Sequence, residues 1–119
     1  MPTTTLSHDR RYLCSELVTV QWSLERGPTR ETTANLEEIW STGAVVLSET
    51  RIPENVPVRI QTATVVLTGS VRSSLDSMLG NFVEIDFAPS CLWDPGVYLP
   101  EHLLDPAVLL GFPTMAPAA

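Results

Sequence analysis

Hydrophobic and polar residues alternate with a period of two along much of the chain, which is typical of strands that bury one face. In residues 16–24, ELVTVQWSL, this alternation predicts that one face of a strand carries Val18, Val20, Trp22 and Leu24. Residues 82–88, FVEIDFA, repeat the pattern near the other end of the chain. Both segments are therefore predicted to be half-buried strands.

Between these segments the pattern predicts more strands, separated by turns that contain proline or glycine. One strand is predicted at residues 32–40 and another at residues 43–49. Two strands or one long bent strand are predicted at residues 58–74, and a polar loop at residues 73–81, SSLDSMLGN. About six short strands with no long helical pattern between them predict an all-β fold. We expect a small six-stranded antiparallel barrel, because closure removes exposed strand edges.

The end of the chain departs from alternation and predicts a short C-terminal helical segment. Pro100 and Pro106 stand where proline is tolerated in the first turn of a helix, and Asp105 is a suitable N-cap. A chain of 119 residues has about the usual size of one domain. We expect a single domain with an N-terminal arm at 1–15, a barrel at 16–88, a helical tail at 89–111 and a frayed end at 112–119.

Charge narrows the classes of partner. The chain has fourteen acidic residues, seven arginines and no lysine, which gives a formal net charge of −7. Such a surface repels polyphosphate, so we expect no nucleic acid polymer as partner. No apolar stretch approaches the roughly 18 residues of a membrane-spanning helix, and the first residues lack the apolar core of a secretory signal. We therefore expect a cytoplasmic protein without a membrane span.

Residue types that carry catalysis or bind metals are few and scattered. Cys14 and Cys91 are too few and too far apart for a zinc site built from ligand pairs, and whether they form a disulfide is left open. His8 and His102 lie at opposite ends of the chain, outside any known catalytic motif. The sequence therefore predicts no enzyme, no metal site and no cofactor.

Two stretches carry a resemblance to a known family. Residues 36–60, LEEIWSTGAVVLSETRIPENVPVRI, have an acid five residues before a Gly-Ala pair that opens a strand, and residues 69–87, GSVRSSLDSMLGNFVEIDF, follow as a closing hairpin. Together with the arginines near the N-terminus, this order resembles the PilZ domain over about residues 9–88. The resemblance implies a bacterial receptor for cyclic di-GMP.

The arginine signature of PilZ domains, RxxxR, is only half present. Its first arginine matches Arg10 or Arg11, but four residues later the chain has Cys14 or Ser15. In the family, arginines of this segment clamp the phosphates and stack on guanine, as a planar guanidinium can. The missing arginine therefore implies weaker cyclic di-GMP binding.

The second PilZ signature, [DN]xSxxG, has kept its spacing better than its chemistry. Glu38 takes the place of Asp or Asn, Trp40 takes the place of Ser, and Gly43 is retained. Trp40 would stack on a guanine, or alternatively would pack at the barrel mouth. The candidate ligand-binding residues are Arg10, Arg11, Glu38, Trp40 and Gly43.

The resemblance implies a non-catalytic regulatory module whose cyclic di-GMP binding is weakened or lost. The alternative is an adaptor that meets a protein partner, or a second copy of itself, through the apolar C-terminal segment. On that alternative the contacts are Trp93, Tyr98, Leu103 and Leu104, unless the segment only caps the open end of the barrel.

Overall fold

The fold is a closed antiparallel barrel. A computed structural model of the chain describes residues 10–24 and 26–106. The strands in this part are β1 (Tyr12–Ser23), β2 (Thr29–Trp40), β3 (Gly43–Ser48), β4 (Pro57–Gln61), β5 (Val66–Ser77) and β6 (Gly80–Phe87). They close in the order β1-β2-β3-β6-β5-β4, with every neighbouring pair antiparallel. The predicted all-β fold and six-stranded barrel are confirmed.

Alternation along the strands produces the core. Val18, Val20 and Trp22 of β1 are buried, as are Val83 and Ile85 of β6, while the residues between them face outward or lie half-buried. Buried side chains from all six strands fill the interior. Each such side chain contributes roughly 1.5–3 kcal/mol through the removal of apolar surface from water.

Irregular pairing bends the long strands so that six of them can close. The register shifts in β2 between Leu36 and Glu38, and in β5 between Val71 and Ser73. Gly69 lies opposite Phe87, where a Cβ would overlap the carbonyl oxygen of Asp86. Glycine is required there because the backbones of β5 and β6 approach closely.

The segment after β6 covers one end of the barrel without forming the expected helix between residues 89 and 105. Its backbone follows turns and then a bridge, in which the N–H groups of Leu13 and Leu104 each donate to the other residue's carbonyl oxygen, at 2.8 and 2.7 Å. The barrel satisfies these backbone groups in place of helical hydrogen bonds. Residues 107–111 of the expected helix and the expected frayed end at 112–119 lie outside the described residues.

The boundary between arm and barrel also differs from expectation, because β1 begins at Tyr12 and not at residue 16. The N-terminal part of β1 pairs with the end of β2, where Tyr12 lies opposite Ile39. Of the expected arm, only residues 10 and 11 precede the strand within the described chain. No helix in the described ranges is long and apolar enough to cross a membrane.

Candidate functional site

The corner predicted to hold the ligand is the tight turn between β2 and β3. Trp40 lies opposite Gly43, and Ser41 and Thr42 form the turn between them. Two further segments hold this turn in place. The carbonyl oxygen of Thr42 accepts a hydrogen bond from the N–H of Phe87 at 2.8 Å, and that of Ser41 accepts one from the N–H of Trp93 at 2.9 Å.

Trp40 packs its indole against the strand that follows the turn. The side chain is only 7% exposed. A Cβ added to Gly43 would lie 2.8 Å from Cζ2 of Trp40 and 2.5 Å from the carbonyl oxygen of Ile85. Gly43 is therefore retained here because the indole and the neighbouring backbone leave no room for a side chain.

Arg11 covers the ring of Trp40. Its guanidinium carbon lies 3.8 Å from the ring centroid, which is a cation–π contact. The same guanidinium lies between two carboxylates, with Nη1 3.6 Å from Oε1 of Glu38 and Nη2 3.7 Å from Oε2 of Glu84. The residues that the PilZ signature selected thus make contacts with one another that a bound ligand would have to replace.

Arg11, Glu38, Trp40 and Gly43 lie together, whereas the fifth candidate ligand-binding residue, Arg10, has a different ionic partner. Arg10 forms an ion pair with Asp105, 2.6 Å between Nη1 and Oδ2. With Ser41 of the turn it lines a small cleft of about 260 Å³, in which the rings of Tyr12 and Trp93 meet edge to face with centroids 5.7 Å apart. The two adjacent arginines therefore pair with different acids beside the same turn.

Sequence reasoning missed two charged residues of the corner, Glu84 and Asp86. In the strand pairing, Val45 of β3 lies between Glu38 of β2 and Glu84 of β6. Asp86 of β6 lies opposite Gly43 of β3. The Nε–H of Arg72 is shared between Oδ1 and Oδ2 of Asp86, at 3.1 and 3.0 Å, and this contact raises the pKa of Arg72. Alternation indicated that both acids face outward, but only the pairing of β3 with β6 brings them to the corner.

The aromatic residues proposed as partner contacts are buried, which corrects the expectation that they lie on an exposed patch. Trp93 is 3% and Tyr98 5% exposed, and the Trp93 indole N–H donates to the carbonyl oxygen of Tyr98 at 2.8 Å. Leu103 is half-buried against the core. Leu104 is 37% exposed, and its backbone is tied to Leu13. These side chains bury most of their apolar surface against the barrel, and this burial holds the segment in place.

A buried carboxylate anchors the same segment. Glu16 is 5% exposed, and its two oxygens accept hydrogen bonds from the N–H groups of Glu101 at 2.9 Å and Ala63 at 3.3 Å. Burial, with the nearby charge of Glu16, raises the pKa of the Tyr98 hydroxyl. That hydroxyl has no hydrogen-bond partner in the described structure.

Both cysteines are free thiols, so no disulfide links them. Cys14 is buried, and burial, followed by the charge of Glu16, raises the pKa of its thiol to about 12. Among the described residues, no group of three or more histidine, cysteine or acidic side chains is arranged to hold a metal ion. A larger cleft of about 830 Å³ is lined by β1, β4, β5 and the end of β6, and it reaches Asp86 at the edge of the corner.

Comparisons with family models, curated proteins and solved structures found no match to this chain. The resemblance to PilZ domains therefore rests on the sequence alone.

Proposed function

We propose that this chain is a non-catalytic, PilZ-like regulatory domain of a bacterial cytoplasm, in which the messenger-binding corner is filled by the protein's own side chains. Cyclic di-GMP then binds only weakly. The observation that supports this most directly is the position of Arg11, whose guanidinium covers Trp40 and lies between Glu38 and Glu84.

A ligand at the corner must displace contacts whose free energies follow from their type and exposure. Exposed ion pairs are worth about 0–1 kcal/mol each, and a cation–π contact at such a site about 0.5–2 kcal/mol. Arg11 is 49% exposed, so solvent screens its ion pairs. Together these contacts oppose binding by roughly 1–3 kcal/mol, which is a ten- to hundredfold loss of affinity.

Stacking a guanine on Trp40 requires Arg11 to move. The guanidinium lies over the indole, and Cζ2 of the indole lies within 2.8 Å of the position that a Cβ on Gly43 would occupy. An anionic ligand supplies a reason for the movement, because its phosphate would replace the two carboxylates as the partner of Arg11. The chain has no second arginine four residues later. Replacing the two carboxylates by a phosphate as the partner of Arg11 therefore adds little to the free energy of binding.

The adaptor alternative has less support. It depended on aromatic anchors in the C-terminal segment, and Trp93 and Tyr98 are both buried. The exposed apolar side chains that remain among the described residues of that segment are aliphatic, and such residues are weaker anchors than aromatic ones; they are Leu92, Val97, Leu99 and Leu104.

Calorimetric titration with cyclic di-GMP at low salt tests the proposal. We expect the wild-type protein to saturate only at concentrations of about 0.1–1 mM, and Arg11→Ala to lose the binding heat, because Arg11 is the phosphate contact at the corner. Arg26→Ala, which alters an exposed arginine in the β1–β2 turn, serves as the matched control. Micromolar binding by the wild type, or binding that Arg11→Ala leaves unchanged, would contradict the proposal.

A further inference from the structure

An apolar row crosses the outer face of three neighbouring strands. Phe82 of β6 lies opposite Leu47 of β3 on one side and opposite Leu75 of β5 on the other. Directly opposite residues in a sheet project to the same face. Val46, which precedes Leu47, and Val83, which follows Phe82, are both buried. Successive side chains of a strand point to opposite faces, so the side chains of this row project outward.

The turn that joins β5 to β6 adds two more apolar side chains. Met78 is fully exposed and Leu79 is 74% exposed. Ser77 and Gly80 meet the conformational needs of the turn. The Ser77 hydroxyl donates to the carbonyl oxygen of Gly80 and accepts from the N–H of Leu79, both at 3.0 Å, and Gly80 has a φ of 137°. Small polar residues are usual at the two remaining positions, so local structure does not explain Met78 and Leu79.

The row and the turn form one surface. Cδ1 of Leu47 lies 3.2 Å from the position that a Cβ on Gly80 would occupy, so the leucine reaches from β3 to the turn. We call this surface the hairpin patch; its exposed members are Leu75, Met78 and Leu79, and its half-buried members are Leu47 and Phe82. Contiguous exposed apolar surface of this kind marks interaction sites more often than isolated exposed leucines do.

The charges around the hairpin patch indicate what covers it. Glu84 follows Phe82 by two residues on the outer face, and Glu49 is exposed two residues after Leu47. Asp76 stands beside the turn and is paired with Arg51 at 3.1 Å. With a net charge of −7, two copies of the chain, or the chain and an anionic membrane, repel one another.

We propose that the hairpin patch is a docking surface for a segment of a partner protein that carries apolar side chains flanked by lysine or arginine. Apolar contact with Leu75, Met78 and Leu79 supplies affinity, and attraction to the acidic border supplies orientation. This inference does not depend on cyclic di-GMP binding, because none of the five residues of the hairpin patch belongs to the corner, and only Glu84 of its border, which also pairs with Arg11, is shared with the corner.

A synthetic amphipathic peptide of about 14 residues made of leucine and lysine is a suitable probe, because it presents both features on one helix. Binding is measured by fluorescence anisotropy of the labelled peptide. The test variant replaces three residues of the patch together, Leu75→Ser, Met78→Ser and Leu79→Ser. The matched control is Leu99→Ser, because Leu99 is 65% exposed, close to the 67% of Leu75, and lies in the C-terminal segment. Unchanged thermal unfolding of both variants shows that they are folded.

We expect the triple variant to bind the leucine–lysine peptide about tenfold more weakly and Leu99→Ser to bind it as the wild type does. A peptide with glutamate in place of lysine is expected to bind more weakly. Absence of binding to the wild type, equal binding by the triple variant, or equal binding of the glutamate peptide overturns the proposal. So does self-association, or binding to phosphatidylglycerol vesicles, that the triple substitution abolishes, since the occupant would then be a second copy or a membrane.

Discussion

At the scale of single residues, Trp40 shows that a side chain's neighbours decide what it can offer a ligand. The sequence places an aromatic ring at the signature's third position, which suggests stacking on a base. In the folded chain the ring is covered by Arg11 and packs closely beside Gly43. The ring that could stack on a base is therefore occupied by the guanidinium of Arg11.

Gly43→Ala tests this packing. We expect a loss of about 1–3 kcal/mol in the free energy of unfolding, because the added Cβ would lie 2.5 Å from the carbonyl oxygen of Ile85 and push against the indole. Urea denaturation gives the value. Gly27→Ala is the control, since its Cβ would meet nothing closer than 3.5 Å, and it is expected to change stability by less than about 0.5 kcal/mol. Equal effects of the two substitutions would argue against the close packing at the corner.

The two thiols are expected to differ in reactivity. Cys14 is buried with a pKa of about 12, whereas Cys91 is partly exposed. A thiol reagent at pH 8 is expected to modify one thiol per folded chain and two in denaturant, because the thiolate is the reactive form. Cys91→Ser should remove the reaction of the folded chain. Rapid modification of both thiols in the folded protein would show that Cys14 is not buried.

The same burial gives a pH dependence of stability. In the unfolded chain the Cys14 thiol ionises near its usual pKa of 9.0, whereas in the folded chain it keeps its proton to about pH 12. The folded state therefore holds more protons in this range, and stability falls as pH rises from about 9 to 12. Cys14→Ala is expected to flatten this part of a plot of unfolding free energy against pH. An unchanged slope would assign the loss to other groups, such as Tyr98.

At the scale of elements, the β5–β6 hairpin is longer than the sequence predicted. Residues 73–81 were expected to be a polar loop, but the strands continue to Ser77 and resume at Gly80. The polar side chains that suggested a loop include a buried cluster. Asn81 is 3% exposed, and its Oδ1 accepts hydrogen bonds from the Ser74 hydroxyl at 2.7 Å and from the N–H of Ile52 at 3.2 Å.

Asn81→Ala is expected to destabilise the barrel by about 2–4 kcal/mol, because it leaves the Ser74 hydroxyl and the Ile52 N–H buried without partners. Chemical denaturation measures the change. Asn35→Ala serves as a matched control, since the Asn35 amide is only half-buried and bonds to the side chains of Glu37 and Ser15 near the surface. A similar cost at both positions would mean that the cluster around Asn81 has no special role.

At the scale of the whole molecule, local patterns predicted the strands but not their long-range partners. Alternation fixed which residues of β1 and β6 face inward, and the number of strands followed from the turns between them. The pairing of β3 with β6 joins residues about forty positions apart, so no local pattern indicates it. That pairing brings Glu84 to Arg11 and Leu47 to Phe82, which is why sequence reasoning missed both the closed corner and the hairpin patch.

Between residues 89 and 105 the chain lacks the helix that the sequence predicted, for a related reason, and only residue 106, directly after the predicted N-cap Asp105, is helical in the described chain. The prolines and leucines of this segment suit a short helix when considered alone. Burial of Trp93 and Tyr98 and the backbone bonds of Leu104 to Leu13 outweigh that local preference between residues 89 and 105. In residues 89–105, tertiary contacts therefore outweigh a weak helix propensity.

We propose that carboxylates of the chain itself hold Arg11 away from an anionic ligand. The most direct measurement compares cyclic di-GMP affinity of the wild type with that of a Glu38→Gln, Glu84→Gln double variant by calorimetry at low salt. Both substitutions keep the shape of the corner and remove its two competing charges. We expect the double variant to bind about tenfold more tightly than the wild type, with the gain lost when Arg11→Ala is added. Equal affinity of the double variant and the wild type, or no binding by either, would contradict the claim.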